Sequence, residues 1–485
     1  MPVTATIRMY NQDNLGDCFL LHFANDGQEA YLLIDFGSYE GDNTLREKLI
    51  AENIKETIGD KKLTIVLTHQ HKDHLSGFLH AGDLLKGKER ELWLSYLDSE
   101  KSKEGQAIRS LMEKYWKKNE KINELIKVQP DADGRVANMR AQKLGFDLFG
   151  ETQSSGAAIT KLLEISNDNV NFLTPGESFF MPGTNDGVKV YVLGPPFDQK
   201  LLKKMNPSKA DEVVGLDMMM DFANIDISST LMLDALLSAT GVESAGESDF
   251  PFAKRYIDYE LSKQINSIPV RQDNNDAECP DDKSDPNKRK DSISEIYARE
   301  DWRKIDEEWL SEIGRLSLHM DTLTNNTSLV LAFELVKSKR VLLFVGDAQI
   351  GNWKSWMNIK IKGSDVTGED LLSRTVLYKA GHHSSHNATL RQGLDLMNDK
   401  ELMILIPVNE KVSTHRKFSM LKPDMLRGYH RKSKGRVLRS DTIFQDGSQF
   451  MLNTPFVDAT TIGNKLKVFP ISENDHLYLE LQVTD

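Results

Sequence analysis

The chain has 485 residues, 39% of them hydrophobic and 28% charged, a balance that fits a soluble globular protein with one large domain or two to three average ones. Its net charge of −12 argues against a protein that coats nucleic acid nonspecifically, and two cysteines, Cys18 and Cys279, exclude a disulfide framework or a cysteine-type zinc site. No apolar run approaches the roughly 20 residues of a membrane span, and "MPVTATIRMYNQD" has no basic-then-apolar leader, so a cytoplasmic location without membrane contact is expected.

In chain order, "TATIRMY", "CFLLHF" and "YLLIDF" predict three strands separated by Gly- and Asp-rich turns. "LTIVL" predicts a fourth, ending at Thr68. From 101 to 130, Ile108, Leu111, Met112, Tyr115, Trp116, Ile122, Leu125 and Ile126 recur at three/four spacing and predict an amphipathic helix. "GVKVYVLGPP" (187–196) returns to strand and stops at two prolines. Residues 198–316 are helix-like around a polar loop at 271–292 with almost no apolar content, expected to be disordered. Strands resume with "TSLVLAFEL", "RVLLFVGD", "RTVLYKAG", "LMILIPV" and "LYLELQV". This order predicts an α/β protein with two sheets packed face to face and helices outside.

"HQHKDH" crowds three of the chain's 12 histidines into six positions just past a strand. In extended backbone His69 and His71 project to the same side. A turn then aims Asp73 and His74 nearby. Such a nitrogen-rich set suits zinc and tolerates manganese or iron. Partners lie at other strand ends: Asp347 after "VLLFVG", and His382, His383 and His386 after "VLYKAG". Asp35 ends another buried run. Its two readings are an acceptor that fixes the tautomer of a ligand histidine, or a turn-forming Asp before Gly. Asp17 has the same Gly-Asp character with less claim to a role, and His22, His80 and His476 read as ordinary packing or surface residues.

The order "GDCFLLHF … YLLIDFG … THQHKDHLSG … NNTSLVL … VLLFVGDA … VLYKAGHHSSHNAT" resembles the metallo-β-lactamase superfamily, whose first motif, HxHxDH, is complete here. The later segments resemble a subgroup, the soluble hydrolase domains of ComEC-like DNA-uptake channels and their stand-alone relatives. Its "HHGS" reads "HHSS" here, so Ser384 replaces a glycine. "VNEKVSTHRKF" and "RVLRSDT" resemble its late segments and match His415 and Arg439-Ser440-Asp441. The resemblance spans about 1–80, 178–197 and 322–450.

What the resemblance implies is a four-layer αββα sandwich. Its first half lies at 1–197, with a helical insert at about 98–175. A mostly helical insertion follows at 198–316, and the second half lies at 317–485. It implies two ions, zinc or manganese: His69 and His71 on one, Asp73, His74 and His383 on the other, Asp347 between them. His383 is preferred to His382, which would face the substrate. Where many members carry a further ligand histidine this chain has none. Asn326 is a weak substitute, and His319, just upstream, is either a ligand or an ordinary partly buried histidine.

Two such ions activate water for attack on phosphodiesters, lactones or other acyl compounds alike, so the surroundings must choose. Between Lys411 and Arg439 stand ten Lys/Arg and one acid, Asp424. The stretch reads either as a solvated loop or as a local anion site. The resemblance places it at the mouth of the site, with Lys379, His386 and Arg416 near it. The expected function is therefore a phosphodiesterase or nuclease that uses metal-bound hydroxide, with Asp73, His382 and His415 as its catalytic residues. DNA, RNA or another anionic compound would be its substrate. Two other readings stand: hydrolysis of a neutral acyl substrate such as a lactone, and a metal-stabilised interaction module that docks a protein partner through 198–316.

Overall fold

The computed structural model describes residues 2–39, 43–114, 151–204, 323–357, 359–385, 387–415, 420–442, 444–445, 449–450, 466–472 and 475–485. The chain divides into one compact unit of Met1–Trp116, Phe146–Phe222 and His319–Asp485, and another of Lys117–Gly145 and Ala223–Leu318. The second unit, with the loop at 271–292, lies outside the described residues.

The first unit is mixed α/β. Its larger sheet orders β16 (Leu466–Ser472), β17 (Asp475–Thr484), β1 (Thr4–Tyr10), β2 (Cys18–Asn25), β3 (Gln28–Phe36), β4 (Leu63–Val66), β5 (Glu89–Ser95) and β6 (Val170–Leu173). Its smaller sheet orders β13 (Val437–Arg439), β12 (Met403–Ile406), β11 (Thr375–Lys379), β10 (Val341–Phe344), β9 (Val330–Leu335), β8 (Val188–Gly194) and β7 (Ser178–Phe180). A short ribbon pairs β14 (Phe444–Gln445) with β15 (Gln449–Phe450). Each sheet joins an antiparallel part to a parallel one: β3 to β6 run parallel in the first, β10 to β13 in the second. The parallel strands β4, β10, β11 and β12 are buried throughout, as strands covered on both faces must be.

The helices are α1 (Thr44–Ile58), α2 (Lys72–Ala81), α3 (103–114), α4 (Glu151–Ile165), α5 (Gln199–Leu202), α6 (Ile350–Trp356), α7 (Gly368–Ser373), α8 (Arg391–Leu396), α9 (Glu410–His415) and α10 (Pro423–Ser433). Three apolar clusters organise the unit, one between the two sheets and two between the sheets and the helices. One joins Ile7, Phe19 and Phe23 of the larger sheet to Val190, Phe333 and Phe344 of the smaller. The rings of Phe19 and Phe344 meet edge to face at 5.5 Å, an arrangement aromatic pairs favour. A second packs Leu20, Leu33 and Ile65 against Ile54 of α1, Phe78 of α2 and Leu162 of α4. A third packs Tyr191, Leu343 and Ile404 against Trp353 and Trp356 of α6 and Tyr429 of α10.

The span read as a helical insert, 98–175, contributes α4 and β6 to this unit. Ala158, Leu162 and Ile165 fall four and three residues apart, so one face of α4 is buried in the same cluster as α2. Of the expected helix at 101–130, residues 103–114 form α3, and 115–130 lie outside the described residues. Strands β6 and β16 escape a reading by hydrophobic pattern because they sit at sheet edges with little buried.

His476, on β17, is 4% exposed. Burial, aided by Arg46 and only partly opposed by Asp475, pulls its pKa from 6.5 to about 4. Between those values the unfolded chain takes up a proton that the folded chain refuses. Stability is therefore present above pH 6.5 and is lost as pH falls toward 4. Acidification from about pH 7 to about 4.5 should cost on the order of 2–3 kcal/mol through this residue. Urea midpoints of wild type and His476→Gln at both pH values test it; equal losses in the two proteins would refute it.

Candidate metal centre

The motif loop leaves β4 and enters α2 at Lys72. Asp35, at the end of β3, clamps that loop: its Oδ1 accepts the Thr68 N–H at 2.7 Å and its Oδ2 accepts the Thr68 hydroxyl at 2.7 Å. Gly37 lets the β3 turn reach α2, because a Cβ there would collide with the Leu75 backbone nitrogen and the Lys72 carbonyl. His69 and His71 stand on the loop before the helix, His71 in extended conformation at its N-cap. Their rings meet with His69 Nε2 3.0 Å from His71 Nδ1. Asp73 and His74 fall on the first helical turn and face the other sheet.

His74 Nδ1 lies 2.8 Å from Asp35 Oδ2, and His383 Nδ1 lies 2.7 Å from the Pro407 carbonyl. Both acceptors lack a proton, so both Nδ1 atoms are donors and the Nε2 atoms point the other way. His383 Nε2 is 2.8 Å from Asp73 Oδ2 and 3.7 Å from Asp347 Oδ2. His74 Nε2 is 3.3 Å from Asp347 Oδ2 and 3.9 Å from Asp73 Oδ2. It is fully buried and makes no well-aligned hydrogen bond among the described residues. Asp17, His74, Asp347 and His383 are all buried, each offering a ligand atom within 4.8 Å of the others, so this group could hold a metal ion.

The electrostatics separate two kinds of histidine. Burial lowers the pKa of His69 and of His71, and the neighbouring His74 lowers both further, so neutral imidazole is favoured there. For His74 burial is outweighed by Asp347, Asp17, Asp35 and Asp73, which hold its pKa well above the usual value. His383 is likewise pushed up to about 9, burial being outweighed by Asp347 and Asp73. Asp347 stays far below the carboxylate range because Lys379, His74 and His383 overcome its burial. Four buried carboxylates, Asp17, Asp35, Asp73 and Asp347, thus surround one buried lysine and two histidines, a setting that fits a divalent cation.

Several expectations need correction. Lys379 is no rim cation: it is 1% exposed, and its Nζ contacts Asp17 Oδ2 at 2.5 Å, Asp347 Oδ1 at 3.0 Å and the Gly346 carbonyl at 2.7 Å. Asp17, given little weight in the sequence, is its partner. Only its place beside an apolar strand hinted at this. Asn326 does not face the histidines; its amide donates to the Leu202 and Lys204 carbonyls. Asn325 does face them, in contact with His71 and with Nε2 of His382 at 3.3 Å. The expectation for His382 stands unopposed: it lies beside Asn325, Gln349 meets its Nδ1 at 3.1 Å, and its backbone N–H donates to Asp347 Oδ1 at 2.9 Å. His415 is exposed on α9 and touches none of the cluster among the described residues. Two residues before it Ser413 is buried, and two helical steps turn about 200°. His319, His386 and Arg416 lie outside the described residues.

The basic stretch is largely engaged with its own surroundings. Arg436 is buried on the Leu402 carbonyl, Arg439 grips Glu410 and Asp441, and Arg427 pairs with Asp424.

The turn carrying His383 is conformationally costly. His382, His383 and Ser384 have φ of 44°, 46° and 62°, three consecutive left-handed residues. Ser384→Gly should stabilise the protein by about 1 kcal/mol by relieving the third. A urea midpoint that fails to rise would contradict this.

No known family model matches the chain, and no curated protein matches it.

Proposed function

We propose that the chain is a metal-dependent hydrolase built as the four-layer αββα sandwich of the metallo-β-lactamase superfamily, and that it cleaves phosphodiester bonds. The layering is supported by one apolar cluster shared by the two sheets and two more between the sheets and their helices. The observation that carries the function is the convergence of His74 Nε2 and His383 Nε2 with Asp73 Oδ2 and Asp347 Oδ2. These four are the ligands we assign. Asp17 is left out because it faces the Nδ1 atoms, already committed to Asp35 and Pro407, and because Lys379 neutralises it. Strands β3, β4, β10, β11 and β12 all deliver their residues from their carboxyl ends, the edge where sheets of this kind bind ligands.

A divalent ion bound there supplies electrophilic charge to the scissile group and acidity to water. The protein's own groups do the rest. Asp35 and the Pro407 carbonyl fix the ring orientations. Asp73, held well below the usual carboxylate range by His74 and His383 against its burial, stays an anion, which suits it to hold a cation and makes it a weak acceptor of protons. His69 and His71, neutral and adjacent, can receive or orient a polar substrate group. The choice of an anionic substrate rests on the basic stretch, which comes beside the turn at Lys422, whose backbone N–H donates to the Ser384 carbonyl at 3.3 Å; a cationic side chain at that position would favour an anion.

A second reading, hydrolysis of a neutral acyl compound, draws on an apolar cluster of Tyr96, Leu97, Ile108, Leu202 and Leu323, in which Leu97 precedes Asp98 and Leu323 lies two residues before Asn325. Incubation with plasmid, single-stranded DNA, RNA and a lactone, with zinc or manganese and with chelator, separates the readings. We expect metal-dependent cleavage of a phosphodiester, reduced about 100-fold or more in Asp73→Asn. Lactone turnover without phosphodiester cleavage would favour the second reading. Tight metal binding with no turnover of any of them would leave the interaction module.

A further inference from the structure

We propose that this centre retains a single ion, on Asp73, His74, Asp347 and His383, and that the His69–His71 pair holds a second ion only weakly. The inference rests on the metal-centre reading above and concerns how the donors are distributed. Around the first position stand two imidazole nitrogens and two carboxylate oxygens, all buried. Around the second, among the described residues, stand His69 Nε2 and His71 Nδ1, 3.0 Å apart.

Among the described residues, the other groups near that pair are poor ligands, are already engaged or, like Asp73, belong to the first position. His69 Nδ1 lies 3.1 Å from the Thr68 hydroxyl, which itself donates to Asp35 Oδ2. That leaves one nitrogen on the ring. The third group facing the pair is the Asn325 amide, which contacts His71 and lies beside His382. An amide oxygen is an uncharged hard donor, and divalent first-row metals bind it less well than imidazole or carboxylate.

Asp347, the carboxylate placed to be shared, has one oxygen removed from use. Its Oδ1 accepts from Lys379 Nζ at 3.0 Å and from the His382 N–H at 2.9 Å. Only Oδ2 remains, and it faces His74 Nε2 and His383 Nε2. The Lys379 cation, buried beside Asp347, also opposes a second dication electrostatically.

Calorimetric titration of the ion-free full-length chain with zinc or manganese tests this. We expect one tight step of one equivalent and a second step about 100-fold weaker. His71→Asn should remove the weak step and leave the tight one within about threefold, well inside the 10–100-fold loss that perturbing an essential ligand's support brings. His71 is partly exposed at the helix start, and a cooperative melt of the variant shows that it is folded. Two tight equivalents in wild type, or loss of the tight step in folded His71→Asn, overturns the single-ion inference and leaves the metal-centre reading intact. No uptake by folded wild type overturns both.

Discussion

Ion-free protein supplied with zinc or manganese should gain about 4 kcal/mol of unfolding free energy once free ion stands roughly 1,000-fold above its Kd. The gain follows from what the ion meets. Asp17, Asp35, Asp73 and Asp347 are buried together, and Lys379 is the lysine buried among them. Uncompensated interior charge costs several kcal/mol per ion, and the unfolded chain offers no assembled site to compete. Magnesium should give far less, since it prefers all-oxygen shells and two of the four donors are imidazole nitrogens. Urea unfolding with each ion and with chelator measures the difference. Coincident curves with and without zinc and manganese would show that the cluster is a charge network, not an ion site.

The parts of this centre that were legible before the structure are those whose chemistry is local. "HQHKDH" announces itself because His69, His71, Asp73 and His74 are neighbours in the chain, and extended backbone followed by a helical turn is enough to split them into two pairs. Asp347 and His383 were legible because an apolar run that ends in a polar residue marks a strand tip. Strand β10 ends at Phe344 and β11 at Lys379, a few residues short of Asp347 and His383. The same logic found Asp35, and the structure selects between its two readings by placing its Oδ2 2.8 Å from His74 Nδ1.

What escaped depends on orientation or on distant pairing. Lys379 closes a wholly buried strand, so its charge read as a surface feature until Asp17, 362 positions earlier in the chain, was seen against it. Asn325 and Asn326 are indistinguishable in "TNNTS". A backbone turn decides that one amide meets His71 and the other meets the Leu202 and Lys204 carbonyls. His415 was assigned through its charged neighbours, yet the helical phase of α9 sends it to solvent, and Arg436 and Arg439 turn out to serve the fold. Composition of a charge run reports how many cations there are. It does not report which carbonyls and carboxylates they already hold.

Lys379→Met should destabilise the protein by about 3–5 kcal/mol, the cost of leaving a buried charge without its partner. The lysine is held by two carboxylates and a carbonyl, with no exposed surface to give up. Burial and the charges of Asp17 and Asp347 have opposed effects on its pKa, and the carboxylates prevail, raising it above the usual value. Without Nζ, Asp17 faces His74 and His383 only at 3.7 Å, across Nδ1 atoms bonded elsewhere. Asp347 Oδ1 keeps the His382 N–H alone, so its second oxygen is less firmly aimed, and metal affinity should fall about 10- to 100-fold. Lys379→Arg should not rescue, because a planar guanidinium cannot take the place of a compact ammonium between three oxygens. Adding Asp17→Asn to Lys379→Met should recover at least about 2 kcal/mol, since the amide removes one of the two stranded charges. Urea unfolding of the two single variants and the double variant gives the coupling directly. Additive losses would mean that Lys379 and Asp17 act independently, and that the oxygen of Asp347 is aimed by the His383 turn alone.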